Sequence, residues 1–235
     1  MNKIIYKAES RGSFDYGWLK TNYSFSFNRY FNPERMNFGK LRVLNDDIVL
    51  PNKGFDTHPH DNMEIITIPL QGYLEHTDST GTKGLISKGE VQIMSAGSGI
   101  YHSERNPSND EILQLFQIWI LPKLMNIQPR YDQKKFNHED RINKLQLIVS
   151  PEKNPDTLWI NQDAFLYLSD VNENNTLNYK LNISNNLLYI MVIEGEIQVD
   201  NEILKKRDAI GISDLQEFSI KAYKNSELLF IEVPS

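Results

Sequence analysis

The sequence predicts an all-β protein, and two observations support this fold class. Short apolar or alternating segments of strand length recur along the chain, separated by turn residues at intervals of roughly 8–12 residues. The same pattern begins again after Gln128 to Asp140, a polar segment that we interpret as a linker. The 235 residues therefore predict two units of the sandwich or barrel type, at 1–135 and 136–235.

Individual strands are predicted from these short runs. In the first half they are Ile4-Ile5, Tyr23 to Phe27, Leu41 to Leu44, Met63 to Leu70, Tyr73 to His76, Gly89 to Met94 and Leu113 to Ile120. In the second half they are Leu145 to Val149, Leu187 to Ile193, Gly195 to Ile203 and Leu228 to Ile231. The segment from Gly195 predicts a hairpin that turns at Asp200-Asn201, because Asp and Asn favour tight turns.

Turn residues separate the strands of the first half. We expect Asn45-Asp46-Asp47 to end the strand that begins at Leu41, and Pro51 to Gly54 to form the next turn. Ser95 to Gly99 is a glycine-rich turn that leads into the next segment. A phosphate cradle is the alternative interpretation, but no lysine or helical pattern follows these glycines.

Aromatic residues are concentrated between Phe14 and Phe38. A cluster this dense could stack on a planar ligand, although filling a hydrophobic core is the commoner use of such side chains. The sequence leaves both uses open and favours the core.

Composition excludes several classes of function. The formal net charge of −6 provides no basic surface for nucleic acid or an anionic membrane, and we predict neither as a partner. No window approaches the ~20 apolar residues of a membrane span, and the N-terminal residues lack the apolar core of a signal peptide, so we expect a cytoplasmic protein. Because the chain has no cysteine, any metal must be held by nitrogen and oxygen, which suits Fe, Ni, Co, Cu, Zn or Mn.

Two short pairs of residues form the candidate site. His58 and His60 flank Pro59, and His102 lies two residues before Glu104. Residues two apart on a strand point to the same face, so each pair directs both donors the same way. If the two strands are antiparallel neighbours, the three imidazoles and the carboxylate converge on one point, where they form a plausible ligand set for a divalent transition metal.

Three further residues are weaker candidates. His76 and His138 each stand alone, and an isolated histidine is more often structural or solvent-exposed than a ligand. Glu64 follows His60 by four residues and would share its face if one strand held both. A fifth donor and a supporting or structural role both remain open for Glu64.

The order His-x-His-x3-Glu-x7-Gly, followed after a glycine-rich turn by His-x-Glu, resembles the metal site of the cupins. More closely it resembles the pirin family of double-barrel cupins, in the bacterial branch of quercetin 2,3-dioxygenase-like proteins. The segments that carry the resemblance are Gly17 to Leu19, Ser24 to Phe27, Asn32-Pro33, Phe38 to Val43, Gly54 to His60, Met63 to Ile65, Glu75 to Ser79, Met94 to Gly97, His102 to Glu104, Gln117 to Ile120 and Pro129 to Gln133.

The resemblance implies a bicupin, with two jelly-roll barrels in one chain. It implies that His58, His60, His102 and Glu104 hold one divalent metal, Fe(II) by the family pattern, with Cu, Ni, Co, Mn or Zn as alternatives. The second barrel is then expected to lack a metal. The implied substrates are a small flavonol-like aromatic and O2, and we expect a monomer.

The chemistry implied is oxidative cleavage of a flavonol such as quercetin, with release of carbon monoxide. Glu104 would accept the proton of the substrate hydroxyl group as general base, although a carboxylate bound to a cation is a weaker base. Two alternatives stay open. One is a non-catalytic metal-binding protein with a regulatory or redox-sensing role, as in pirin, and the other is a cupin acting on a different enolised aromatic.

Overall fold

A computed structural model describes residues 2–214 and 217–235, whose regular secondary structure is almost entirely β-strand. The strands are β1 (Asn2–Tyr6), β2 (Gly12–Asp15), β3 (Leu19–Tyr23), β4 (Leu41–Val49), β5 (Gly54–His60), β6 (Glu64–Gln71), β7 (Tyr73–Asp78), β8 (Lys83–Ser87), β9 (Glu90–Ser95), β10 (Ile100–Arg105), β11 (Leu113–Ile120), β12 (Arg130–Lys135), β13 (Gln146–Ser150), β14 (Leu158–Trp159), β15 (Phe165–Val171), β16 (Thr176–Lys180), β17 (Leu187–Glu194), β18 (Glu196–Val199), β19 (Glu202–Lys205), β20 (Ala209–Ser213), β21 (Glu217–Ala222) and β22 (Ser226–Val233). Short 3-10 helices occupy Ala8–Ser10 and His138–Arg141. The predicted all-β class is confirmed.

The chain forms two compact units that are not contiguous in sequence. The first unit comprises Gly12–Phe136 and Leu158–Gln162, and the second comprises Met1–Arg11, Asn137–Thr157 and Asp163–Ser235. The predicted boundary between residues 135 and 136 lies one residue before the observed change from the first unit to the second, between Phe136 and Asn137. Two short segments differ from this prediction. Residues 1–11 belong to the second unit, because β1 pairs with β20. Leu158–Gln162 belongs to the first unit, where the backbone amide of Asn161 donates a hydrogen bond to Glu64.

The first unit is built from two antiparallel sheets. The large sheet has the order β12-β9-β6-β11-β4-β3-β2, and the small sheet has the order β5-β10-β7-β8. One core cluster joins side chains of both sheets, with Leu19, Val49, Leu113 and Leu115 from the large sheet and Leu74 and Ile86 from the small one. Because each sheet buries one face against the other, alternate residues of each strand are directed into the interior.

The second unit repeats this arrangement. Its sheets have the orders β1-β20-β17-β22-β15-β13 and β16-β21-β18-β19. Strands β15 to β22 thus occupy, in chain order, the positions that β4 to β11 occupy in the first unit. The chain therefore contains the same eight-stranded jelly roll twice, and the predicted bicupin architecture is confirmed.

Several local predictions are corrected by the structure. Asn45 to Asp47 do not end a strand but lie buried in the middle of β4, where pairing with both β3 and β11 holds them extended. Gln128 to Asp140 is not wholly a linker, because Arg130–Lys135 forms β12 and pairs with β9. The strand predicted over Tyr23 to Phe27 ends at Tyr23.

Two further findings concern a turn and the helices. The predicted hairpin at Asp200-Asn201 is confirmed, because β18 pairs directly with β19. Within the described residues, the structure has no helix with the length and apolar character needed to cross a membrane.

Candidate metal centre

The two histidine-bearing segments lie on neighbouring strands of the small sheet. β5 and β10 pair in antiparallel register, with His58 opposite His102 and His60 opposite Ile100. The adjacency on which the predicted site depended is therefore confirmed. Pro59 lies between the two histidines and faces Tyr101, on the opposite side of the sheet from the imidazoles.

Three imidazole rings converge at this point. Their centroids are 4.5 Å apart for His58 and His102, 4.8 Å for His58 and His60, and 4.9 Å for His60 and His102. The Nε2 atoms of His58 and His102 are 3.1 Å apart. One ring nitrogen from each residue lies within 4.8 Å of the other two, so a single ion could contact all three.

Burial favours the neutral form of two of these imidazoles, His60 and His102. Removal from water, together with the positive charge that protonated His58 would carry, lowers the pKa of His60 to about 4. The same two causes, with a further contribution from His60, lower the pKa of His102 to about 2. The neutral form of imidazole is the one that binds metal ions, so the rings of His60 and His102 are prepared for coordination at neutral pH.

Three polar side chains, those of Thr67, Gln92 and Gln117, hold Glu104 beside this cluster. A register shift between His102 and Glu104 alters the pairing with β5, and Glu104 lies opposite His76 on β7. The buried carboxylate accepts hydrogen bonds from Gln92 Nε2 at 2.5 Å and Gln117 Nε2 at 2.7 Å. Burial raises the pKa of Glu104 to about 7, although these amide donors oppose the increase.

The donors form two overlapping groups among the described residues. His58, His60 and His102 form one group, and His76, His102 and Glu104 form the other. The structure thus brings the three predicted histidines together. It places a carboxylate oxygen of Glu104 within 4.8 Å of ring nitrogens of His102 and His76, and Glu104 does not join the group formed by the three predicted histidines.

His76, one of the weaker candidates from the sequence, is a buried part of the site. Its Nε2 lies 2.9 Å from Asp78 Oδ2, and its ring stacks on Tyr131 with centroids 4.5 Å apart. Its Nδ1 atom is buried without a hydrogen-bond partner. The signal available in the sequence was the spacing His76-x-Asp78, which places an imidazole and a carboxylate on one strand face.

The other two candidates lie elsewhere. The chain turns at Asn62, which has a φ of 44°, so His60 and Glu64 are on different strands and the expectation of a shared face is wrong. Glu64 is buried in the large sheet and accepts a hydrogen bond from Ser95 Oγ at 2.8 Å. His138 is exposed in the second unit, with its Nε2 2.6 Å from Asp170.

A cavity of about 650 Å³ adjoins the histidine cluster and is lined by His58 and His60. Trp119 forms part of the wall, with its ring 4.8 Å from that of His60 and 5.2 Å from that of Phe27. The other lining residues with aromatic or polar side chains include Tyr16, Trp18, Phe55, Thr21, Tyr23, Asn45, Asp47 and Gln117.

The aromatic segment contributes both to the cavity wall and to the buried interior, and stacking on a planar ligand stays a prediction. Tyr16, Trp18, Tyr23 and Phe27 line the cavity, whereas Phe25 is fully buried in the interior and does not.

Comparison with known proteins identifies relatives of the whole chain. The family model for pirin matches residues 6–120, and the model described as the quercetinase C-terminal cupin domain matches residues 147–233. The chain is 40% identical to a quercetin 2,3-dioxygenase of Escherichia coli K12 over 97% of each chain. It is 39% identical to a pirin-like protein of Caulobacter vibrioides over 94% of this chain and 95% of that one. The crystal structure of the bacterial pirin YhhW from Escherichia coli in complex with nickel(II) covers 99% of both chains, with 39% identity and a TM-score of 0.94.

Proposed function

This chain belongs to the pirin family, and from that premise we propose that it is a metal-dependent dioxygenase that cleaves flavonols such as quercetin with O2 and releases carbon monoxide. The observation that carries the proposal is the convergence of three imidazoles beside an aromatic-lined cavity, with the rings of His58 and His60 on its wall. A cavity of this size accommodates a small planar substrate, and its aromatic walls favour one.

We propose His58, His60, His102 and Glu104 as the metal ligands. The fit rests on the two Nε2 atoms 3.1 Å apart, on the low pKa values of His60 and His102, and on the proximity of Glu104 to His102. Nitrogen and oxygen donors of this kind accept Fe(II), the predicted metal, and also Cu, Ni, Co, Mn or Zn. When bound, such an ion supplies Lewis-acid and template chemistry to the 3-hydroxyl and neighbouring carbonyl of a flavonol.

The residues of the chain then have separate roles. Trp119, Phe27 and the other aromatic walls hold the flat ring system and keep water away from it. Glu104 accepts the proton of the 3-hydroxyl group as general base, and Gln92 and Gln117 fix the orientation of its carboxylate. In the overall reaction both atoms of O2 enter the depside product, and one ring carbon leaves as carbon monoxide.

The first experiment is aerobic incubation of quercetin with protein loaded separately with iron, copper, cobalt, nickel or manganese. Loss of flavonol absorbance together with evolution of carbon monoxide is the expected result. Tight metal binding without turnover by any of these forms would overturn the dioxygenase proposal and favour a regulatory or redox-sensing metalloprotein.

Two variants test the assigned roles. His58→Ala should abolish turnover and lower the bound metal, whereas His138→Ala, which removes an exposed histidine of the second unit, should change neither. Glu104→Gln should lower kcat by roughly 10²-fold or more if Glu104 is the base. Activity near that of the wild type would remove Glu104 from this role. The cytoplasmic location, the monomeric state and the absence of nucleic-acid or membrane partners stay predictions.

A further inference from the structure

A row of polar residues crosses the interior face of the large sheet and lines the cavity. Gln117 on β11 pairs with Asn45 on β4, and two residues further along β4 Asp47 pairs with Thr21 on β3. All four side chains line the cavity. They do so because residues two apart on a strand share a face.

This row begins beside the candidate metal centre and leads away from it. Gln117 donates to Glu104 at 2.7 Å, which fixes the near end of the row. Asp47 lies two residues beyond Asn45, a distance of roughly 7 Å along the strand. Because the walls beside the row are aromatic, a flat molecule could extend from the histidines towards Asp47.

The far end of the row contains polar atoms without partners. Asp47 Oδ1 and Thr21 Oγ1 are both fully buried and have no partner in good hydrogen-bond geometry among the described groups, although the Thr21 hydroxyl is near enough to lower the pKa of Asp47; Asn45 Oδ1 is also without a partner. Asp47 and Thr21 are only 2% and 1% exposed. An unsatisfied buried polar group costs about 1–3 kcal/mol, so a protein rarely keeps three in one place unless something else binds them.

The charge of Asp47 fits a hydroxyl partner better than a cation. Burial raises the pKa of Asp47 to about 7, so its carboxyl can accept a hydrogen bond when ionised and donate one when protonated. A phenolic hydroxyl group can serve as either partner. The nearby walls contain Trp18 and Tyr16, which match the aromatic ring to which such a hydroxyl is attached.

We propose that Asp47 and Thr21 bind a phenolic hydroxyl group at the end of the substrate remote from the metal, and so select polyhydroxylated flavonols. The inference rests on the proposed function, because the 3-hydroxyl end of the substrate is placed at the histidines. It adds a second recognition point to the cavity, on a different sheet from the ligands.

The test compares two flavonols that share the 3-hydroxyl and its neighbouring carbonyl and differ in their other hydroxyl groups. Quercetin carries several, whereas 3-hydroxyflavone keeps the metal-directed hydroxyl and carbonyl and has no other hydroxyl. Affinities for the metal-loaded protein are measured by titration calorimetry, which does not depend on turnover when O2 is excluded. The wild type should bind quercetin at least about tenfold more tightly than 3-hydroxyflavone, the effect of one good hydrogen bond.

Two substitutions at the row should remove this preference. Asp47→Leu and Thr21→Val should each weaken quercetin binding by about tenfold and leave the affinity for 3-hydroxyflavone unchanged. Asp47→Asn keeps the shape of the side chain and serves if the leucine variant does not fold. The matched control is Ser24→Ala, which removes another buried hydroxyl without a partner, one that does not line the cavity.

The possible failures are distinguishable. Equal wild-type affinities for the two flavonols, or equal losses for both in the Asp47 variants, would overturn this inference while leaving the proposed function intact. Failure of the metal-loaded wild type to bind either flavonol would overturn the proposed function and this inference with it.

Discussion

Glu64 provides a test of the electrostatics of the first unit that does not depend on any ligand. Its carboxyl is 1% exposed and accepts hydrogen bonds from Ser95 Oγ and from the backbone amide of Asn161. Burial raises the pKa of Glu64 to about 7 from an ordinary value of 4.5, and these hydrogen bonds only partly oppose the increase. The folded chain therefore binds this proton more tightly than the unfolded chain does.

The direction and size of the effect follow from that difference. Between about pH 4.5 and pH 7 the folded state carries the proton and the unfolded state releases it, so the free energy of unfolding falls as the pH rises. A difference of roughly 2.5 in pKa corresponds to about 3 kcal/mol. Because Gln does not titrate, Glu64→Gln should gain up to about 3 kcal/mol relative to the wild type over this range.

The assay is urea unfolding of the metal-free wild type and variant at several pH values from 4.5 to 8. Trp18, Trp119 and Trp159 all belong to the first unit, so tryptophan fluorescence reports on the unit that contains Glu64. Taking the difference between the two proteins cancels the titration of other buried acids. Parallel pH profiles of the wild type and Glu64→Gln would refute the reasoning.

Three further predictions concern the metal, the second unit and a turn. Excess metal at about 100 times its Kd should raise the unfolding free energy of the wild type by about 3 kcal/mol and that of His102→Ala by far less, as measured by calorimetry. Glu232→Leu should destabilise the second unit by about 3 kcal/mol or more in thermal unfolding, because the buried carboxylate accepts hydrogen bonds from Tyr179 and from the loop that follows β16. Gly97→Ala should lower the stability by about 1–3 kcal/mol, since Gly97 has a φ of 50° and an added Cβ would meet the carbonyl oxygen of Ile127; an unchanged melting temperature would contradict this.

The sequence predicted those features that follow from local periodicity. The two-residue spacing placed His58 with His60 on one face, and the number of residues between the two pairs allowed β5 and β10 to be neighbours. Strand pairing itself was not predictable from periodicity, because the alternation within a strand does not specify its partner. For the same reason the inclusion of β1 in the second unit was missed.

Polar residues inside strands were the main source of error. Asn and Asp are typical turn residues, so Asn45 and Asp47 were expected to end the strand. They are extended and buried because β4 pairs with β3 on one side and with β11 on the other, and because their side chains line the cavity. His76 was underestimated because its partners are Asp78, on its own strand, and Tyr131, which is far away in the chain. The residues whose structure the sequence did not predict lie at the candidate site, and functional sites are where local sequence preferences are most often overridden.

The second unit shows how little of this site the fold requires. Glu104 pairs with His76, and at the equivalent positions of the second unit Ile220 pairs with Val199. The three residues that hydrogen-bond to Glu104 are Thr67, Gln92 and Gln117. The strand pairing aligns these three with Ile190, Ile210 and Phe230 respectively.

These apolar residues of the second unit, Ile190, Ile210, Ile220 and Phe230, belong to a single hydrophobic core cluster. At these equivalent positions the same strand order holds a packed apolar cluster in one unit, and a buried carboxylate with its polar neighbours in the other. Because burying polar groups is costly compared with burying apolar ones, folding alone does not explain the polar version. The proposed binding of a metal and a substrate accounts for it, and this places the proposed chemistry in the side chains around Glu104 and not in the barrel that carries them.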